Sequence, residues 1–174
     1  MPSAIIKAIV AATLSLQIFA SAKATAAPGT IEIVAIGASN TLGFGVMPGN
    51  TYPARLEALL RDKGFNARVT NSGVLFDNTG GMLRRLDASV PDGTRLVILQ
   101  PGGNDLRFGG SKEQRAANIA AMVRRLHARH IKVIVFDPAI PARYYQWDGI
   151  HITSEGHAMF AASLLPQVIS AIGR

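Results

Sequence analysis

The chain contains no cysteine, which excludes disulfides, thiol nucleophiles and thiolate metal sites together. Aromatic residues make up only 6% of its 174 residues and charged residues only 17%. A charge-rich disordered chain is thereby excluded, and the 48% hydrophobic content fits a packed globular domain. The net charge of +7 has no concentrated source. Arg55, Arg61, Arg84, Arg85, Arg124, Arg125 and Arg129 are scattered, with no long basic run and no interleaved aromatics. That pattern speaks against nucleic-acid binding, while attraction to anionic substrates or transient contact with a membrane surface stays open. No uninterrupted apolar run reaches the ~20 residues that span a bilayer.

The first segment reads as an address. Lys7 precedes the apolar stretch Ala8–Ala22, and the small-residue patterns Ala22-Lys23-Ala24 and Ala24-Thr25-Ala26 follow. Residues 1–27 therefore have the form of a secretory signal cleaved between Ala24 and Ala27, with an uncleaved anchor as the alternative. Either form predicts a periplasmic or secreted protein. Removing Lys7 and Lys23 leaves 16 basic and 11 acidic residues, or +5. Residues 28–174 are then one domain, since about 148 residues enclose a single core.

Strands and helices alternate through that domain. Ile31–Ile36 is a β-branched apolar run that suits a strand covered on both faces. Pro53 at a first helical turn, a Leu56/Leu59/Leu60 stripe and Gly64 as a stop predict a helix over Tyr52–Lys63. Ala67–Asn71, Arg95–Gln100 and Ile131–Phe136 are the remaining strands. One short helix is expected through Met82, Leu83, Leu86 and Val90. Ser111 and Gln114 form a capping-box signature before a helix striped by Ile119, Met122, Val123 and Leu126. A final helix over Thr153–Ile172 should kink or break at Pro166. The expected fold is a three-layer α/β/α domain with a short parallel sheet, flavodoxin-like in its layering.

Ligands in such sheets collect at the carboxyl ends of the strands, and the polar clusters lie there. Ser39 and Asn40 follow the first strand, Asn71–Asn78 the second and Asn104 and Asp105 the third, while Asp148 and His151 precede the last helix. A serine hydroxyl becomes nucleophilic when a base takes its proton and a third group orients that base. Ser39 alone reads equally as a helix cap, Asp148 and His151 as a turn element, and Asn104 as a loop amide bonded to its own backbone. Those structural readings do not account for all three at one rim. Their conjunction favours Ser39 as nucleophile, His151 as base, Asp148 as orienter and Asn104 as oxyanion donor beside the Ser39 N–H.

The blocks Ile36-Gly37-Ala38-Ser39-Asn40-Thr41, Asn71-Ser72-Gly73-Val74, Gly102-Gly103-Asn104-Asp105 and Asp148-Gly149-Ile150-His151 resemble, in order, those of SGNH (GDSL-type) hydrolases. The nearest likeness is to the periplasmic thioesterase, lysophospholipase and arylesterase branch. The resemblance implies the same four roles, a small-molecule ester or thioester substrate and no cofactor or metal. Three departures are visible. Ala38 stands where the family carries an aspartate. Phe76 aligns with the oxyanion-hole glycine, with Gly73 as the earlier glycine of that block. Only Asp137–Trp147 separates the fourth strand from Asp148, where the branch fits a further helix and strand. A shortened sheet should then leave strand four near an edge, available for homodimer pairing.

Tyr144, Tyr145 and Trp147 could wall an acyl or aryl pocket, or pack beneath their loop. His127 and His130 are expected at the solvent-facing end of a helix and His157 on a helix surface. Gly43-Phe44-Gly45 lacks the lysine of a phosphate loop. The leading reading is a serine esterase or thioesterase; a catalytically weakened relative binding acyl or glycan ligands at the envelope is the alternative, and a flavin or nucleotide binder a weaker one.

Overall fold

The computed structural model describes residues 29–173, so the expected leader over residues 1–27 lies outside the described residues. Four parallel strands, β1 (Ile31–Gly37), β2 (Ala67–Gly73), β3 (Thr94–Gln100) and β4 (Lys132–Val135), form one sheet in the order β2-β1-β3-β4. Parallel neighbours require crossovers, and helices supply them. Short α1 (Ser39–Leu42) and longer α2 (Tyr52–Asp62) link β1 to β2; α3 (Thr79–Arg84) and α4 (Leu86–Ser89) link β2 to β3. Short α5 (Asn104–Arg107) and α6 (Lys112–Ala128) lead to β4, and α7 (Ser154–Ile172) closes the chain.

The period-two geometry of β1 divides the core into two layers. Ile33 and Ala35 pack with Leu56 and Leu60 of α2 and with Phe160, Leu164 and Val168 of α7. Val34 and Ile36 face the opposite way, onto Met82, Leu86, Met122 and Leu126 from α3, α4 and α6. Both faces are thus buried, the physical reason for a continuous apolar strand instead of an alternating one.

Caps set where these helices begin. Thr51 accepts from the Ala54 N–H, Ser111 from Gln114 N–H at 3.1 Å and Thr153 from Gly156 N–H at 3.2 Å. The Gln114 side chain turns forward to Asn118, so only half of the expected capping box forms. Two expectations need correction. The helix expected through Met82–Val90 divides at Arg85 into α3 and α4. Of the kink or break expected at Pro166, the break does not occur: α7 is continuous from Ser154 to Ile172. Phe160, Leu164, Val168 and Ile172 are fully buried on both sides of the proline, and that packing outweighs the ~3 kcal/mol a helical proline costs. The sheet is short as expected, with β4 at one edge.

Candidate active site

Ser39 is the first residue of α1, directly after β1, and is only 7% exposed. The cap position belongs to Ala38, without a side-chain cap bond, so the helix-cap reading of Ser39 falls away. Gly37 permits this tight turn. A Cβ there would lie 2.0 Å from Thr41 Oγ1 and 2.9 Å from the Gln100 carbonyl. Thr41 Oγ1 donates to Gln100 Oε1 and lies 3.1 Å from Tyr52 Oη, forming a buried polar floor beneath the serine turn. Burial drives the Tyr52 phenol pKa well above its ordinary value. Ser39 faces a cleft of about 380 Å³ shared with Gln100, Gly103, Asn104, Arg115, Asp137 and Tyr145.

Asp148 and His151 sit at the tip of a narrow loop. An antiparallel bridge joins Tyr145 to Ile152, and the Gln146 N–H donates to the His151 carbonyl at 2.7 Å. Asp148 Oδ1 accepts from the Ile150 and His151 N–H groups at 2.9 and 3.0 Å, while Oδ2 lies 2.5 Å from His151 Nδ1. Gly149 turns the loop at φ 67, where a residue without Cβ is unstrained. The His151 and Ile150 N–H groups and the ring hydrogen bond hold the Asp148 carboxyl down at about 2.

Asn40 ties this loop to the serine turn. Its Nδ2 donates to the Ile150 carbonyl at 3.1 Å and its Oδ1 accepts from the Ile152 N–H at 3.0 Å, bracketing His151 from the residue next to Ser39. Gln146 Nε2 adds bonds to the carbonyls of Phe44 and Ile152, and the Phe44 ring lies 4.5 Å from the His151 ring. Asp148 and His151 are therefore paired. Ser39 Oγ forms no hydrogen bond to His151 among the described residues, a looseness common in ligand-free sites.

The second and third blocks meet at the other side of the cleft. Asn104 Nδ2 donates to the Asp77 carbonyl at 2.8 Å, which engages one of its two amide hydrogens. Asp105 accepts from Thr79 Oγ1 at 2.6 Å and from the Thr79 N–H. Arg85 then fastens the block to the sheet: it donates to Asp77 at 2.8 Å, to Ser72 and Ser89, and to the Gly37 carbonyl at 3.1 Å. A Cβ on Gly73 would lie 2.1 Å from the Leu42 backbone nitrogen, so glycine is needed where β2 passes α1. The Gly73 N–H is already committed to Asn71 Oδ1. Phe76, at the third position of the Val74–Asp77 turn, adopts φ 60, a region favouring glycine and costing a bulky residue about 1–3 kcal/mol. Neither Gly73 nor Phe76 lines the cleft.

Several expected positions are corrected. Of the three aromatics before Asp148, only Tyr145 faces the cleft. Tyr144 lies beneath Arg143, 4.6 Å from its guanidinium carbon, and Trp147 is 97% exposed beside a separate groove. His157 is fully buried, not on a helix surface. Its Nδ1 accepts from the Tyr52 N–H at 3.1 Å, and burial, with a smaller effect of Arg55, pulls its pKa down to about 4. His127 and His130 are exposed as expected. The ties made by Gln146, Arg85 and Phe44 were not foreseeable as site features, because their partners are remote in sequence.

An α/β/α layering with the four blocks on one rim defines a class. Residues 35–148 match the model of the GDSL-like lipase/acylhydrolase family, and the chain belongs to that family. It is similar to Esterase TesA of Pseudomonas aeruginosa, at 32% identity over 120 residues covering 68% of this chain. The match spans 59% of that relative's length. Among solved structures, that of TesA aligns with TM-score 0.74 over 80% of this chain and 99% of its own, at 21% identity. AlinE4, an SGNH-hydrolase family esterase, aligns with TM-score 0.62 over 86% of this chain and all of its own, at 26% identity.

Proposed function

We propose that this protein hydrolyses carboxylic esters or thioesters through an acyl-Ser39 intermediate. The observation carrying the proposal is the Asp148–His151 pair, whose loop is tied to the serine turn by Asn40, the residue beside Ser39. With Nδ1 held by Asp148, Nε2 is the nitrogen free to act on the serine. Ser39 Oγ attacks the acyl carbon as His151 Nε2 takes the hydroxyl proton. His151 then returns that proton to the departing alcohol or thiol. Water attacks the acyl-serine with His151 again as base, releasing the carboxylic acid and restoring the hydroxyl.

The developing oxyanion would be met by the Ser39 N–H and by the second amide hydrogen of Asn104, both of which line the cleft. Neither second-block candidate completes this hole: Gly73 and Phe76 lie outside the cleft lining, and the Gly73 N–H already has an acceptor. Asn40 lines the cleft, and both ends of its amide hold the His151 loop, so its role is positioning. Tyr145 borders the acyl or leaving group. Acyl, lysophospholipid and aryl esters are the candidate substrates, and the leader-like residues 1–27 support action in the periplasm or outside the cell.

The left-handed Phe76 favours a second reading, a slow or inactive relative that binds acyl or glycan ligands. Fluorophosphonate labelling and p-nitrophenyl acetate turnover separate the two. Labelling at Ser39 and loss of both signals in Ser39→Ala are expected; an unlabelled parent without turnover would leave the binding reading. A chain-length series of p-nitrophenyl esters and acyl thioesters then defines the substrate.

A further inference from the structure

Nine large apolar side chains are exposed among the described residues, and their distribution is one-sided. Eight lie on the connections that leave the carboxyl ends of β1, β2 and β3 or on the loop bearing His151. The ninth, Val135, is on the β4 edge. The most prominent are Trp147 at 97%, Met47 at 71%, Phe76 at 68% and Phe108 at 55% exposure, joined by Phe44 and Leu106 at 45%. Exposed apolar side chains gathered at one end of the sheet mark a contact surface; Leu106 lines the cleft, and Met47 and Trp147 line a second groove. Phe76 holds an unfavourable backbone conformation while its ring stays exposed, so packing within the fold does not account for the ring.

Charge narrows the partner. Arg84, Arg107, Lys112 and Arg143 are exposed on the same rim, and none forms an ion pair among the described residues. The rim's Asp77, Asp137 and Asp148 are engaged by Arg85, Arg115 and His151. Glu113 and Glu155 sit in the first turns of α6 and α7, where the helix dipoles offset them. A second copy of this rim would bring cation against cation. An anionic lipid surface meets both features, with apolar side chains entering the headgroup boundary and arginines pairing with phosphates.

We propose that the cleft-bearing face docks onto anionic lipid surfaces, with Trp147, Met47 and Phe108 entering the headgroup region. The docking itself is independent of the Ser39 chemistry. If that chemistry is as proposed, the bound orientation presents membrane-resident amphiphiles to the cleft.

Trp147 is the only tryptophan of the chain and serves as the reporter. The full chain and its variants, which share the same leader, are titrated with phosphatidylglycerol or phosphatidylcholine vesicles. Phosphatidylglycerol should shift the emission to the blue and co-sediment the protein, with phosphatidylcholine doing neither to a comparable degree. Met47→Asp with Phe108→Asp should weaken binding at least tenfold, a loss of about 1.4 kcal/mol, without altering turnover of a soluble short-chain p-nitrophenyl ester. Arg84→Glu with Arg143→Glu should weaken binding and flatten its salt dependence. Ser39→Ala should bind as the parent does, separating failure of docking from failure of the hydrolase proposal. Absence of both signals with phosphatidylglycerol, equal binding by all variants, or a blue shift that grows with protein concentration in the absence of lipid would each overturn the proposal. The last result would assign the face to a second copy.

Discussion

Asp148 shows how one side chain sets the state of a site. Three hydrogen bonds from two neighbouring residues converge on its carboxylate, so it stays ionised and holds one imidazole tautomer. Asp148→Asn keeps the size but offers an N–H where an acceptor is needed. Turnover should fall ~10³–10⁴-fold with folding preserved, checked by kinetics beside circular dichroism. His157 behaves in the opposite sense, being buried as the neutral ring. Its pKa falls from 6.5 to about 4 on folding, so between those values the unfolded chain takes up a proton that the folded chain refuses. Stability should therefore drop on acidification through that window by up to roughly 3 kcal/mol. Urea unfolding at pH 7 and 4.5 measures it, and His157→Leu should flatten the dependence while costing about 1–3 kcal/mol at pH 7 for the abandoned Tyr52 N–H.

At the scale of elements, the cleft is a meeting of connections. α1 folds so closely over the strand ends that Gly37, facing Thr41 and the Gln100 carbonyl, and Gly73, facing the Leu42 backbone, have no room for a side chain. Arg85, at the α3–α4 junction, then spans Asp77, Ser72, Ser89 and the Gly37 carbonyl. Arg85→Met would leave a largely buried Asp77 carboxylate without its cation. A loss of about 2–3 kcal/mol is expected in denaturant unfolding, with kcat reduced because Asn104 is tied to Asp77. The motif order and the alternation of elements were legible in the sequence, since strand and helix periodicities are local. The division at Arg85 and the intact α7 were not, because packing on the two core layers decided both.

For the whole molecule, the short final connection leaves β4 as an edge. The edge is poorly suited to self-pairing: β4 has four residues and begins at the exposed Lys132. A monomer is expected by sedimentation at micromolar concentration, and a dimer abolished by Val135→Lys would contradict it. Acid should weaken the fold in two stages. His157 acts first, and Asp148 later, because a carboxyl depressed to about 2 contributes stability above its ordinary pKa and loses it as pH falls through the folded value.

The chain's order of blocks alone determined which residues were candidates, because Ser39, Asn104, Asp148 and His151 carry chemistry that can be recognised without coordinates. Tertiary structure decided their company. Asn40 meets Ile150 across 110 positions and Gln146 meets Phe44 across 102, His157 is buried, and Trp147 turns out to solvent. Such pairings depend on how layers pack and where crossovers return the chain, and no local pattern encodes either.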